Sequence, residues 1–341
     1  MDVELLKELL DAFGISGKEG DIRTIIVREL KRYASDFYTD KLGNLIVHFK
    51  GKPPKVMLAA HMDEIGLMVK NIDKIGRIHI SSMGGIEPFI LVGQRVRIKS
   101  KDGMISGIVT LREISDSHLL PKTLPKMKDL IVDTGLTKEE LLAKQIDIGS
   151  YLSFEQHSSM LGSDNIISGK ALDDRAGCFV LIELIKTLKK IKNELYVVFT
   201  VQEELGLYGA KTSTYEIEPD WAIVIDATNA NDCLENATKF IGGGPCLTIK
   251  DTGMLSNPCI TSWLRGIAKK LNIPVQLEVS NFGTTDALSI SVTKGGVPCS
   301  VLCIPVRNLH STIGIAHLND IRNAIKLLTE LLKDPPKVCI V

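Results

Sequence analysis

The sequence over residues 195–206 reads LYVVFTVQEELG, an apolar, β-branched and aromatic run that ends in two adjacent glutamates. The run predicts a buried strand. Carboxylates at the end of such a strand are costly unless a partner compensates their charge. Adjacent strand residues face opposite ways, so Glu203 and Glu204 should differ in role unless the backbone bends, which Gly206 permits. We interpret the pair as one metal ligand and one general base; the alternative is a solvated turn.

The composition of the chain excludes several classes of protein. Its 341 residues predict roughly two domains, and Lys+Arg balances Asp+Glu at 41 each. This balance does not indicate a nucleic-acid or membrane-surface partner. No apolar run reaches the ~20 residues of a membrane span, and residues 1–10 do not resemble a signal peptide. The seven cysteines form no Cys-x-x-Cys pair, which favours a reducing cytosol, so we predict a cytoplasmic protein.

The order of predicted elements indicates an α/β fold with an insertion. Strands alternate with apolar helices before residue 66 and after residue 168, which is typical of a sheet covered by helices on both faces. Between them, short alternating runs divided by Gly and Asp turns predict a small all-β unit. We therefore assign residues 1–66 plus 162–341 to an α/β domain and residues 67–161 to an inserted β domain. Near the N-terminus, Ser16 followed by Glu19 predicts a capping box.

Imidazole and carboxylate side chains recur where predicted strands end. His61 and Asp63 are two residues apart, so on a strand both face the same way. A carboxylate so placed can accept the second ring N–H of a metal-binding histidine. Asp226 ends a predicted strand, and His310 follows another by a short loop. The alternatives are a locally hydrogen-bonded histidine at 61, a turn starter at 226 and an exposed loop histidine at 310.

The pair Asp173-Asp174 precedes a strongly apolar predicted helix. Aspartate is a good helix N-cap, so for Asp174 capping competes evenly with a role in metal binding. Active sites of α/β sheets lie beyond strand ends, and imidazole with carboxylate suits Zn, Co or Mn. Two neighbouring cations need a bridging carboxylate plus one histidine and one further carboxylate each. A spare glutamate beside a ligand can act as general base.

These motifs occur in a definite order along nearly the whole chain. They are His61-Met62-Asp63-Glu64, Leu172-Asp173-Asp174-Arg175, Gln202-Glu203-Glu204-Leu205, Thr285-Asp286-Ala287 and His310-Ser311. The ordered set resembles the dinuclear-metal aminopeptidases of the M42 family, the TET-type enzymes, which are related to the M28 and M20 co-catalytic peptidases. Some relatives have also been labelled endoglucanases.

The resemblance implies a ligand set for two divalent cations per subunit, with Zn or Co as the first expectation and Mn as another. The implied ligands are His61 and Asp226 for one cation, Glu204 and His310 for the other, and Asp173 as the bridge. It also implies that Glu203 is the general base and that Asp63 orients His61.

The same resemblance implies an activity and an assembly. Relatives remove N-terminal residues from short peptides with a free N-terminus. They share the sheet-and-helix fold of co-catalytic metallopeptidases, and their inserted β-barrel or PDZ-like domain supports dimers that assemble into tetrahedral dodecamers. We therefore expect a homo-oligomeric aminopeptidase. Two alternatives stay open from the residues: a deacylase on the same metal core, and a glycosidase, because paired carboxylates serve that chemistry too.

Overall fold

A computed structural model describes residues 1–111, 123–188 and 191–336. The helices within these ranges are α1 (Val3–Asp11), α2 (Gly20–Leu30), α3 (Lys138–Ala143), α4 (Leu172–Thr187), α5 (Glu203–Gly206), α6 (Tyr208–Ile217), α7 (Pro258–Lys270), α8 (Asp286–Ser291) and α9 (Leu318–Leu331). The strands are β1 (Phe37–Thr39), β2 (Leu45–Phe49), β3 (Lys52–His61), β4 (Gly66–Ile72), β5 (Ile78–Met83), β6 (Arg95–Ser100), β7 (Gly103–Leu111), β8 (Leu130–Asp133), β9 (Tyr151–Phe154), β10 (Ser159–Met160), β11 (Ile166–Gly169), β12 (Asn193–Thr200), β13 (Trp221–Asn229), β14 (Cys246–Lys250), β15 (Gln276–Val279), β16 (Cys299–Arg307) and β17 (Gly314–His317).

The described residues build one 11-stranded mixed sheet, in the order β1-β2-β12-β3-β13-β16-β17-β11-β10, with β14 and β15 attached beside β16. Its four central strands, β12, β3, β13 and β16, run parallel to one another. Buried apolar residues fill the middle of these strands, as expected where helices cover both faces. The predicted α/β fold is confirmed. Because the parallel strands end at one edge of the sheet, the residues that follow them lie close together at that edge.

Helix α4 packs between the sheet and other helices. It packs on β3 and β13 and against α1 and α9. Its residues are buried almost all round, including Phe179, Leu181 and Ile185, which fits a helix enclosed by other elements. The N-terminal end of α4 lies at the same edge as the ends of the parallel strands, and it carries Asp173. None of the helices described has the length and apolar character needed to cross a membrane.

The predicted small all-β unit is a closed barrel formed by β4-β5-β8-β7-β6-β9. It has its own apolar core, which includes Leu67, Ile78, Val96 and Val132. The barrel strands begin at Gly66, directly after the His61 segment. The domain boundaries at residues 66 and 162 stay a prediction.

A buried ion pair joins the barrel to the sheet. Lys170 Nζ lies 2.6 Å from Glu64 Oε2, and both side chains are 1% exposed. Lys170 also donates to the carbonyl of Ala12 at 2.8 Å, and Ser153 of β9 donates to Glu64 Oε1 at 3.2 Å. The pair therefore holds the end of α1, the start of β4 and the barrel strand β9 together.

Candidate metal centre

The side chains predicted as metal ligands converge at the carboxyl edge of the parallel strands. His61 is the last residue of β3, and Asp226 lies near the end of β13. The two glutamates occupy the short helix α5 just after β12, and His310 follows β16. Together with Asp173 at the start of α4, these residues line one cavity.

Two sets of donor atoms share Asp173. His61 Nε2 is 3.0 Å from Asp173 Oδ1 and 3.8 Å from Asp226 Oδ1. His310 Nε2 is 3.4 Å from Asp173 Oδ2 and 3.7 Å from Glu204 Oε1. In each set the donor atoms lie within 4.8 Å of one another, the spacing of groups that could hold a metal ion. The two oxygens of Asp173 therefore face different histidines, as a bridging carboxylate requires.

Several carboxylates lie close together in this buried cluster, and burial and neighbouring charges shift their pKa values. Burial raises the pKa of Glu203 and of Asp226 well above its ordinary value, and raises that of Glu204 to about 7. Asp173 behaves oppositely: burial opposes its ionisation, but hydrogen bonds from His310 and His61 lower its pKa. The hydrogen bond to Asp173 raises the pKa of His310 to about 10. Imidazole and carboxylate donors gathered in this way fit divalent Zn, Co or Mn.

Backbone carbonyls orient both histidines. His61 Nδ1 lies 3.1 Å from the carbonyl oxygen of Asp63 and 3.6 Å from its carboxylate Oδ1. His310 Nδ1 lies 2.8 Å from the carbonyl oxygen of Gly85. A proton on Nδ1 would leave Nε2 free to bind a cation in each ring. For His61 the nearest acceptor is thus the carbonyl of Asp63, not the carboxylate that the sequence pattern suggested.

The glutamates do not continue the strand; the backbone turns sharply before them. Gln202 has a left-handed φ of 56°, and α5 starts at the next residue. This turn, four positions before Gly206, where the bend was expected, brings both glutamates to one cavity. Four successive backbone N–H groups of residues 201–204 donate to buried side chains. The acceptors are Asn44 Oδ1 at 3.0 Å, Glu19 Oε1 at 3.3 Å, Asp63 Oδ1 at 3.0 Å and Asp63 Oδ2 at 3.1 Å.

Two predictions about helix capping have different outcomes. The capping box at Ser16 and Glu19 is wrong: Ser16 Oγ donates to Asp63 at 2.6 Å, and Glu19 accepts from the N–H of Gly17 at 2.6 Å. The side chains of this loop contact the site, and α2 begins at Gly20 without a side-chain cap. For Asp174 the capping interpretation holds, because its Oδ1 accepts from the N–H of Gly177, three residues on, at 2.9 Å. Its Oδ2 also accepts from the backbone N–H of His61 at 3.3 Å.

Little in the sequence indicated the roles of three supporting residues. Glu19 and Asn44 lie far from the motifs in sequence and meet the turn at residues 201–204 only through the fold. Gly85 belongs to the inserted barrel, directly after β5, yet its carbonyl contacts His310. The pair Gly84-Gly85 at a strand end was the available signal, and it predicts only a turn. A side chain at Gly84 would meet Glu204 Oε2 at 2.9 Å, which explains the need for glycine there.

The cavity lined by these side chains has a volume of about 940 Å³. It extends from the metal-type side chains to a second polar group around Lys239 and Glu278, between β13, β14 and β15. Apolar residues such as Leu207, Phe282 and Leu309 also line it. The cavity is therefore large enough for a short peptide as well as metal ions.

Comparison with known proteins gives consistent results over nearly the full chain. The family model described as M42 glutamyl aminopeptidase matches residues 43–327. The lysyl aminopeptidase of Pyrococcus furiosus is 36% identical over 348 residues, covering 98% of this chain and 97% of the relative. The solved structure of an aminopeptidase from the archaeon Desulfurococcus kamchatkensis is 34% identical with a TM-score of 0.92, covering 97% and 94% of the two chains. The TET1 peptidase of Pyrococcus horikoshii, whose structure assembles into a tetrahedron or an octahedral shell, is 32% identical with a TM-score of 0.88, covering 97% and 98%.

Proposed function

The chain belongs to the M42 family of peptidases and is a metal-dependent aminopeptidase, and we propose that two divalent cations bind at Asp173, with Glu203 as the general base. The observation that carries the proposal is the pair of donor sets that share Asp173. The ligands proposed for the first cation are His61 and Asp226, and those for the second are Glu204 and His310. Zn or Co is the proposed metal, and Mn is a further option.

The proposed reaction is hydrolysis of the first peptide bond of a short peptide. When bound, the cations lower the pKa of water and polarise the substrate carbonyl. Glu203 takes up a proton from the attacking water and delivers it to the departing amine. Its raised pKa, caused by burial, suits a group that must hold that proton between the two steps. Its Oε2 lies 3.9 Å from His61 Nε2, beside the atoms that would react.

Asp63 has a positioning role in this proposal. Its carboxylate accepts from the backbone N–H groups of Glu203 and Glu204, and its carbonyl from His61 Nδ1. One residue would thus fix a ligand of each cation and the base. The surrounding carboxylates would attract the free α-amino group of a substrate, which is our reason for an exopeptidase acting on unblocked N-termini.

Two alternatives are set aside. A glycosidase would need the carboxylates but neither histidine nor metal, and the relatives from Pyrococcus furiosus and Desulfurococcus kamchatkensis, each matched over nearly its full length, are named aminopeptidases. A deacylase on the same core would act on blocked amines. The deciding experiment measures hydrolysis of matched unblocked and N-acetylated peptides by metal-free protein, with and without Zn, Co or Mn.

We expect turnover of the unblocked peptide only after metal is added. Glu203→Gln should retain metal and fold and lose turnover by a factor of about 10²–10⁴, the usual contribution of general acid–base catalysis. Turnover that survives chelation, or a Gln variant of normal activity, would remove the metal or Glu203 from the mechanism. Preference for the acetylated peptide would favour the deacylase.

We further propose a homo-oligomer, a tetrahedral dodecamer, located in the cytoplasm. The assembly rests on the tetrahedron formed by the Pyrococcus horikoshii relative; light scattering of the purified protein tests it. The location rests on the free cysteines, among them Cys178, Cys246 and Cys303. The disulfide at Cys259 counts against it, so fractionation of cells is the required test. No nucleic-acid or membrane partner is proposed.

A further inference from the structure

The far end of the cavity contains a second pair of buried charges that the proposed mechanism does not use. Glu278 on β15 is 6% exposed and Lys239 is 13% exposed. Lys239 Nζ donates to Glu278 Oε1 and, at 2.8 Å, to Thr228 Oγ1. Thr228 Oγ1 donates to the same carboxylate oxygen at 2.8 Å, and Thr248 Oγ1 donates to Oε2 at 2.9 Å. The carboxylate and the ammonium therefore compensate each other.

The pair lies within reach of a substrate bound at the proposed cations. Thr228, which contacts both charges, is two residues from Asp226 on β13. The two side chains thus point to the same face of the strand, about 7 Å apart along it. That distance is the span of a long amino-acid side chain. The first side chain of a peptide held at the cations can therefore extend to Lys239 and Glu278.

The other charged group at this end of the cavity, among the residues described, is Asp251. Its Oδ1 accepts from the N–H groups of Gly253 and Met254 at 2.8 and 2.7 Å, and its Oδ2 from Thr284 Oγ1 at 3.4 Å. Asp251 is therefore committed to its own turn. Its carboxylate keeps its charge but is held against its own turn, so the charged side chains that contact Thr228 are Lys239 and Glu278.

We propose that Lys239 and Glu278 determine which N-terminal residue this enzyme accepts, and that their mutual neutralisation selects an uncharged side chain. The proposal rests on the function proposed above. A charged substrate side chain would lose its hydration on entry and meet two charges that already satisfy each other. Of the two, one would attract it and the other would repel it at similar range. A neutral side chain avoids this cost and packs against the apolar lining.

The same geometry predicts how to redirect the preference. Lys239→Met removes the ammonium and leaves Glu278 to attract a cationic substrate side chain, so kcat/KM for substrates with N-terminal lysine should increase. Glu278→Gln leaves Lys239 without its carboxylate partner, so kcat/KM for substrates with N-terminal glutamate should increase. The double variant has neither charge and should again prefer neutral side chains. Lys294→Met is the matched control, since Lys294 pairs with Glu218 outside the cavity.

The experiment measures kcat/KM of the metal-loaded enzyme for leucyl, lysyl and glutamyl substrates that carry one uncharged fluorogenic leaving group. In the wild type we expect leucine to exceed lysine and glutamate by tenfold or more. Lys239→Met should raise the lysine-to-glutamate ratio at least tenfold, and Glu278→Gln should lower it at least tenfold. The control should leave that ratio unchanged. Because each ratio compares two substrates on one preparation, the fraction of folded enzyme cancels.

Two results would overturn the proposal: a wild type that prefers lysine or glutamate by tenfold or more over leucine, or cavity variants whose lysine-to-glutamate ratio stays within twofold of the wild type. The wild-type panel decides even if a variant fails to fold. Failure of the proposed function looks different, because then the metal-loaded wild type would hydrolyse none of the three unblocked substrates.

Discussion

Replacing Glu64 by Gln should destabilise this protein far more than the same change at the surface. Glu64 and Lys170 are each 1% exposed, with Oε2 and Nζ 2.6 Å apart. In Glu64→Gln the ammonium of Lys170 would remain buried with only neutral acceptors, and the guanidinium of Arg175, now 3.9 Å from Glu64 Oε1, would lose its carboxylate. Removing one partner of a buried pair leaves an uncompensated charge, which typically costs about 3–5 kcal/mol.

The double variant separates the value of the pair from the cost of an orphaned charge. Burial lowers the pKa of Lys170 to about 8 even with Glu64 present, so desolvation is the larger effect on this lysine. Lys170→Met with Glu64→Gln removes both charges of the pair and keeps similar side-chain volumes, and Arg175 keeps its hydrogen bonds to the carbonyls of Leu9 and Gly14. We expect it to lose much less stability than the sum of the single variants, because such replacements are often close to neutral.

The assay is urea unfolding at pH 7, at one protein concentration because subunit association also contributes to stability. Glu218→Gln is the matched control: Glu218 is 61% exposed and pairs with Lys294, and an exposed pair is worth about 0–1 kcal/mol. The reasoning fails if Glu64→Gln costs no more than Glu218→Gln. It also fails if the double variant loses the full sum of the single losses.

Three further predictions follow from the site and its supports. At pH 7, cation binding should release protons, because the proposed ligands Glu204 and His310 have pKa values raised to about 7 and about 10 and must lose their protons to bind metal. Calorimetry in two buffers of different ionisation enthalpy measures the number of protons released, and a binding heat that does not depend on the buffer contradicts the prediction. Glu19→Ala should lower kcat with little change in KM, because Glu19 accepts a hydrogen bond from the N–H of Gln202, which precedes the proposed base Glu203. Glu19→Gln should restore part of the loss; equal kcat in all three proteins excludes this support. The pKa of Lys170 is about 8 in the folded protein and about 10.4 in an unfolded chain, so the unfolded state binds more protons between these pH values. The free energy of unfolding should therefore rise by up to about 3 kcal/mol from pH 8 to pH 10.4, relative to that of Lys170→Met. A pH-independent difference between the two proteins refutes this prediction.

The ligand-type residues could be predicted from sequence because local rules place them. A run of apolar, β-branched residues predicts a buried strand, and four such strands in parallel must end at one edge. His61 and Asp226 therefore had to lie near each other once the α/β pattern was established. Each of these residues also had an ordinary structural explanation, such as a turn or an exposed loop. Only their convergence at one edge of the sheet argued for a shared site.

The supporting contacts could not be predicted in the same way, because they depend on tertiary geometry. Glu19 looked like part of a capping box, and its sequence neighbourhood fits that interpretation as well as the observed contact with the turn at Gln202. Asp63 was expected to use its carboxylate on His61 because alternate strand residues share a face. The strand ends at His61, so that rule no longer applies to Asp63, and its carbonyl takes the role instead.

The contact between Gly85 and His310 makes the barrel part of the candidate metal centre. His310 is 43% exposed and has a left-handed φ of 54°, so its surroundings restrain it less than those of the buried His61. The hydrogen bond to the carbonyl of Gly85 fixes its ring, and Glu64 and Lys170 hold the start of the barrel against the sheet. A shift of the barrel would therefore move the acceptor of His310 while leaving His61 and Asp226 in place. It follows that disturbance of the barrel should weaken binding of the cation proposed at Glu204 and His310 before binding of the cation proposed at His61 and Asp226, which stepwise metal titration of Glu64→Gln can measure.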